Sequence, residues 1–222
     1  LPRLQPGDRI LVTRMEHHAN IVPWQLIAQR TGATLKVAEL LPDGALDLPA
    51  LYAAMTPDVK VLALAHTSNV LGTVNPVAHL CKEARKRGII TLIDGSQAAP
   101  HMPVDITALD CDFYAITGHK MCGPTGTGAL WARREHIDAM PPFLGGGEMI
   151  KEVRFDGTVF NEGPHKFEAG TPNIAGFVGL GAAVDYLSQL GMAHIEAREQ
   201  ALLAYLTEAL HGIDGLHIFG RA

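Results

Sequence analysis

Six short apolar runs, separated by helical patterns or glycine-rich turns, leave this chain few ways to bury its side chains. RILVTR (9–14), LKVAEL (35–40), VKVLALAH (59–66), IITLIDG (89–95), FYAITG (113–118) and TGALWAR (127–133) read as strands. Several are apolar at consecutive positions, the pattern of strands covered on both faces. Helical patterns lie between them at about 20–31, 47–55 and 76–87. The last opens after Asn75-Pro76 and closes at Gly88, with proline at the start and glycine past the end. This βαβ alternation predicts an α/β fold, three layers in the order αβα around a mostly parallel sheet.

The pattern changes near Gly170-Thr171-Pro172. Residues 173–190 form a long apolar helical stretch that ends at Gly191, 192–211 a more charged helix, and HIFG (217–220) the start of another strand. The expected division is a sheet core over 1–172 and, over 173–222, helices that close it. The Gly/Pro-rich stretch 141–172 reads as a long functional loop.

Charge narrows the partners. The formal net charge is -5, and the longest basic run, KEARKR (82–87), reads as the solvated face of a helix end, which argues against nucleic acid. No stretch of about 18 apolar residues predicts a membrane span. The opening residues LPRLQPGDR lack the pattern of a signal peptide and read as the middle of a longer chain. Cys81, Cys111 and Cys122 are too scattered for a disulfide framework or a zinc cluster, so a reducing, cytoplasmic setting is expected.

In an open α/β sheet, ligands collect beyond the carboxyl ends of the strands. Those ends carry Glu16-His17-His18, His66 to Asn69, Asp94 to Gln97, and His119-Lys120. Asp94 reads either as a strand-end cap or as a buried carboxylate that needs a cation, such as a protonated pyridine nitrogen. Gln97, three residues on, can donate an amide N–H to the same ligand. Lys120 is either a surface charge or a desolvated amine suited to Schiff-base chemistry. The cluster GPTGTG (123–128) has neither dinucleotide-fingerprint nor P-loop spacing. His17 and His18 are adjacent and lack the i, i+4 spacing of a helical metal pair; one of them is either a ring stacked on a planar cofactor or a structural histidine.

Taken together, EHHANIVPWQ (16–25), SNVLGT (68–73), DGSQA (94–98), DCDFYAITGHK (110–120), GPTGTG (123–128) and FEAGTPN (167–173) resemble the group II, SufS/CsdA-like cysteine desulfurases. These are class V aminotransferase-family enzymes of the fold type I that uses pyridoxal 5'-phosphate (PLP). The resemblance implies a PLP-binding large-domain core in residues 1–172. It implies that Lys120 holds PLP as a Schiff base, that Asp94 pairs with the pyridinium nitrogen, and that Gln97 contacts the ring oxygen. His17 would stack on the ring, Thr117 and His119 would bind the phosphate, and Asn69 would hold the substrate carboxylate. Thr171 would reach the phosphate of a neighbouring subunit, which implies a homodimer. The implied reaction converts L-cysteine to L-alanine and leaves an enzyme persulfide, whose sulfur passes to an acceptor protein for iron–sulfur cluster assembly.

The chain departs from the family pattern in three places. It has no segment matching the family's Thr-Thr phosphate loop, and none matching the C-terminal domain with the nucleophilic cysteine and carboxylate-binding arginine. It also carries Met121-Cys122 where relatives have Leu-Tyr. The expectation is a truncated chain, inactive alone. The alternatives are a selenocysteine lyase or other class V PLP enzyme, with L-selenocysteine as substrate in the first case, and a non-catalytic folded or dimerising fragment.

Overall fold

The computed structural model describes residues 4–220. A six-stranded sheet forms the centre: β1 (Arg9–Thr13), β2 (Thr34–Ala38), β3 (Val59–Ala65), β4 (Ile90–Asp94), β5 (Phe113–Thr117) and β6 (Gly128–Ala132), in the spatial order β2-β1-β3-β4-β5-β6. β1 to β5 run parallel and β6 pairs antiparallel with β5. The expected α/β class and mostly parallel sheet are what forms. Chain order moves one way from β1 to β2 and back past β1 to β3, so the carboxyl ends of five strands share one edge with a switch point between β1 and β3.

The period-two alternation of strand side chains divides the core in two. Leu11, Leu62, Leu64 and Ile93 face one way, against Leu51 of α2 (Leu48–Ala54) and Val77, Leu80, Cys81 and Ala84 of α3 (Val77–Lys86). Ile10, Val12, Val61 and Ala63 face the other way, against Trp24 and Ile27 of α1 (Val22–Thr31). Leu62, Leu64 and Leu80 are wholly buried, and truncating such a side chain to alanine costs about 2–5 kcal/mol.

Local signals set the helix ends. Asp47 accepts from the Ala50 N–H and caps α2, and α1 stops at Gly32, whose φ of 76° suits glycine. Two one-turn helices, α4 (Ala98–His101) and α5 (Ile106–Leu109), fill the crossover from β4 to β5, and α6 (Arg134–Ala139) follows β6. The basic run ending α3 is partly paired: Lys86 and Arg87 share Glu83, and Arg85 pairs with Asp110.

Two expectations need correction. Residues 217–220 form no strand: HIFG has a strand's composition but pairs with none of the described strands. The stretch 141–172 contains a hairpin, β7 (Ile150–Arg154) and β8 (Gly157–Phe160), turning at Phe155-Asp156. Two long helices end the described chain, α7 (Ile174–Leu190), capped by Asn173, and α8 (Met192–His211). Among the described residues, no single helix is long and apolar enough to cross a membrane.

Candidate active site

The shared carboxyl edge carries the predicted residues other than Thr171. Asp94 ends β4, with Ala65 of β3 and Ala115 of β5 beside it in register. Its Oδ1 accepts the Ser96 N–H at 2.9 Å, and its carbonyl accepts the His66 N–H at 2.8 Å. One oxygen thus closes a strand-end turn, and the half-buried carboxylate lies on the carboxyl edge of the sheet.

Gly95 explains how the strand can end there. A Cβ at Gly95 would fall 2.0 Å from the Tyr114 ring, so only glycine lets the ring pass beneath the end of β4. The Tyr114 hydroxyl lies 2.9 Å from His66 Nδ1. Both groups are buried; burial raises the phenol's pKa above its ordinary value and lowers that of the imidazole.

His17 follows β1 and caps a 3-10 turn over residues 18–20, its Nδ1 accepting the Ala19 N–H at 3.1 Å. That bond leaves Nε2 to carry the hydrogen of the neutral ring. The ring is exposed, and its centroid lies 5.7 Å from that of His18.

Lys120 stands in a 3-10 turn, Gly118–Met121, directly after β5. The glycine cluster makes that turn possible. Gly118 donates to the Thr127 carbonyl and accepts from the Gly123 N–H, both at 2.9 Å, and a Cβ on Gly118 would lie 2.2 Å from Thr127 Oγ1. Leu180 of α7 packs against Gly118 and Gly123 from the other side. Lys120 is half-buried and has no hydrogen bond or ion pair among the described residues. Beside it, Thr117 Oγ1 lies 3.1 Å from His119 Nδ1.

Asn69 sits on a loop closed by Ser68, whose Oγ accepts the Val70 and Leu71 N–H groups. Asn69 and Gln97 line one hollow of about 350 Å³ together with His101, Glu199 and Gln200. His101 Nδ1 lies 2.9 Å from the Glu199 carboxylate, which ties α8 to α4 at the hollow's mouth. Thr171 is not part of this grouping: it lines a separate hollow with Glu148, Asn161, His165 and Glu168.

The cysteines divide by burial. Cys81 and Cys111 are buried, and burial, above other causes, pushes their thiols up to about 12 and about 11. The charges of Asp112 and Asp110 push the Cys111 thiol the same way, by less than burial does. Cys122 is exposed.

Sequence reasoning placed Glu16 and His66 among strand-end polar residues without giving either a role. Glu16 is buried and accepts bonds from Thr13, Asn20 and Ala65. Burial, reinforced by Asp94 and opposed by those bonds, pushes it up to about 7. Its context, an acidic residue directly after an apolar strand and before His17, was the available signal.

Known proteins resemble the chain throughout. A probable cysteine desulfurase of Xylella fastidiosa (strain 9a5c) is 70% identical over 222 residues, all of this chain and 53% of that protein. The crystal structure of the cysteine desulfurase CsdA from Escherichia coli superposes with a TM-score of 0.93 at 43% identity, covering 96% of this chain and 54% of CsdA. C-DES, in a mutant structure with glycine covalently linked to PLP, gives a TM-score of 0.86 at 28% identity, covering 98% and 59%. It has also been solved, as a cystine C-S lyase, with its product cysteine persulfide. The chain thus spans about half the length of the curated relatives it matches. Residues 1–222 match the Aminotransferase class-V family from end to end, and the chain belongs to that family.

Proposed function

We propose that the whole protein is a PLP-dependent cysteine desulfurase, converting L-cysteine to L-alanine and passing the sulfur, as a persulfide, to an acceptor protein for iron–sulfur cluster assembly in the cytoplasm. One observation carries this most: Asp94, Gln97, His17, Thr117, His119 and an unpaired, half-buried Lys120 all lie at or after carboxyl ends on one sheet edge.

The donor set fits the cofactor. Asp94 offers a carboxylate to the pyridine nitrogen, Gln97 an amide N–H to the ring oxygen, and His17 an imidazole to the ring face. Thr117 and His119 offer a hydroxyl and an imidazole to the phosphate, and Lys120 an amine without a competing carboxylate to the aldehyde. The bound cofactor supplies an electron sink for the substrate Cα. Lys120 holds it and moves the Cα proton as acid and base. Asn69, which lines the same hollow as Gln97, orients the substrate carboxylate.

Residues 1–172 form the cofactor core in this assignment, and 173–222 close it. Thr171, apart from the edge of its own chain, reaches the phosphate of a second copy in a homodimer. The sulfur-accepting thiol belongs to the part of the relatives' length that this chain does not span, since Cys81 and Cys111 are buried with raised pKa values. Cys122, although exposed, is tethered two residues from Lys120.

Adding PLP to the whole protein should give a visible absorption band, and L-cysteine should then yield alanine and, with reductant, sulfide. No band would refute the cofactor assignment. A second reading, a C–S lyase acting on cystine, is favoured by the likeness to C-DES; pyruvate in place of alanine as the product would identify it. Comparing selenide with sulfide release separates selenocysteine from cysteine as the preferred substrate.

A further inference from the structure

Glu16 ends the β1 side of the site and is 7% exposed. Its hydrogen bonds form a directional chain. The Trp24 indole N–H, which can only donate, gives its hydrogen to Asn20 Oδ1 at 3.0 Å. That fixes the Asn20 amide, so its Nδ2 donates to Glu16 Oε2 at 2.6 Å. From β3, the Ala65 backbone N–H donates to Oε1 at 3.1 Å. Both oxygens must therefore accept from donors that cannot reverse. A glutamine has one oxygen and one NH₂, and would turn the NH₂ against either Asn20 or Ala65. The remaining partner, the Thr13 hydroxyl, lies 2.6 Å from Oε1 and can rotate, donating to a carboxylate or accepting from a carboxylic acid. The carboxyl can thus gain or lose a proton without losing a partner.

The segments joined here bear on the edge residues. His17 lies inside the loop whose two ends, Glu16 and Asn20, are bonded to each other. Ala65 is the register partner of Asp94. One side chain therefore ties the His17 loop to the strand pair that ends in Asp94. Asp94 is also the charge acting on Glu16, while Thr13, Asn20 and Ala65, the groups bonded to it, are uncharged.

We propose that Glu16 is a positioning residue of this site, setting His17 relative to Asp94 through a carboxyl group that must accept hydrogen bonds on both oxygens. His17 and Asp94 matter in this way because the proposed function makes them cofactor contacts.

The test uses the full-length protein with isotope-labelled histidine, the His17 signal being assigned with a His17→Asn variant. In the cofactor-free protein, Glu16→Gln should shift or broaden the His17 signal, and PLP affinity should fall about tenfold, the size expected for one broken buried hydrogen bond. Glu16→Gln/Asn20→Asp should restore the signal and bring affinity back to within about threefold. In that pair the introduced amide donates to the introduced carboxylate, which also accepts the Trp24 N–H, while the amide oxygen accepts from Ala65. If Glu16→Gln does not fold, Glu16→Gln/Trp24→Phe carries the comparison, because Asn20 is then able to turn its oxygen toward the new amide; a native-like His17 signal there supports the proposal, and failure to fold there too overturns it. A wild-type His17 signal and affinity in Glu16→Gln, or a double variant no better than the single, would also overturn it. A wild-type protein that binds no PLP would refute the proposed function, yet the His17 signal would still decide the role of Glu16.

Discussion

Glu16 and Asp112 are equally buried, each 7% exposed, at opposite ends of the same sheet. Glu16 stands at the carboxyl ends among uncharged donors with Asp94 nearby, and burial pushes it up to about 7. Asp112 stands at the amino end of β5, where burial pushes its carboxyl upward but its partners outweigh that push and hold it below its ordinary value. Those partners are the Thr91 N–H at 2.9 Å, the Thr91 hydroxyl at 3.0 Å and His136 Nε2 at 3.0 Å, with Arg133 and Arg85 within ion-pair range. Burial sets the cost of a charge, and the partners decide whether the charge survives it. The amino end is built to keep one charge permanently. The carboxyl end holds two carboxylates on neighbouring segments and gives one of them only uncharged partners, whose hydrogen bonds offset part of the cost of burying its charge.

The largest effect expected from this contrast falls on Asp94, the site carboxylate. Asp94→Asn in the whole protein should slow desulfuration by two to three orders of magnitude, since removing one member of a buried charge pair typically matters by about 3–5 kcal/mol. The melting temperature should change little, because the Ser96 turn bond can be kept. Near-normal turnover would leave Asp94 as a turn residue only. Asp112→Ala should do the reverse. It should lower stability by about 3 kcal/mol in denaturant titrations, leaving Arg133 and His136 without their buried partner, while PLP affinity stays unchanged.

Acid and base should then pull the two ends apart. Glu16 binds its proton more tightly folded than unfolded, so its contribution to stability is fully present below about pH 4.5 and is lost as pH rises to about 7. The loss is on the order of 3 kcal/mol. Asp112, held low when folded, contributes above the ordinary carboxylate range and loses that contribution as pH falls through its folded value. Stability curves for wild type and Glu16→Gln should therefore converge in slope below pH 4.5 and differ between pH 4.5 and 7. Parallel curves across that window would contradict the raised value.

The smallest effect concerns the floor beneath Asp94. Tyr114→Phe removes the hydroxyl 2.9 Å from His66 and should cost about 1–2 kcal/mol, with the imidazole left unpaired in a buried site. An unchanged denaturation midpoint would mean that water replaces the hydroxyl.

The framework of this fold was legible because its strands are uniform. VKVLALA is short, β-branched at its start and apolar at consecutive positions, as a strand buried on both faces is, and β3 lies at the centre of the sheet with α2 and α3 on one side and α1 on the other. The hairpin was missed although Asp156-Gly157 between β-rich runs is a turn signal; the glycines and prolines on either side of it suggested a loop throughout. HIFG failed for the opposite reason, since a strand needs a partner edge and composition does not supply one. At the site, the order Asp94, Gln97, Lys120 was visible as residues ending strands. The environment of Glu16 was not, because its Ala65 donor comes from 49 residues away and the orientation of Asn20 depends on Trp24.

The central claim is that the turn after β5 presents Lys120 as the amine that holds the cofactor. Reduction of the PLP-loaded whole protein with borohydride, followed by peptide mapping, tests it most directly. The phosphopyridoxyl mass should be found on the peptide containing Lys120 and be absent from a Lys120→Ala variant. Label on another lysine, the buried Lys166 included, would contradict the claim.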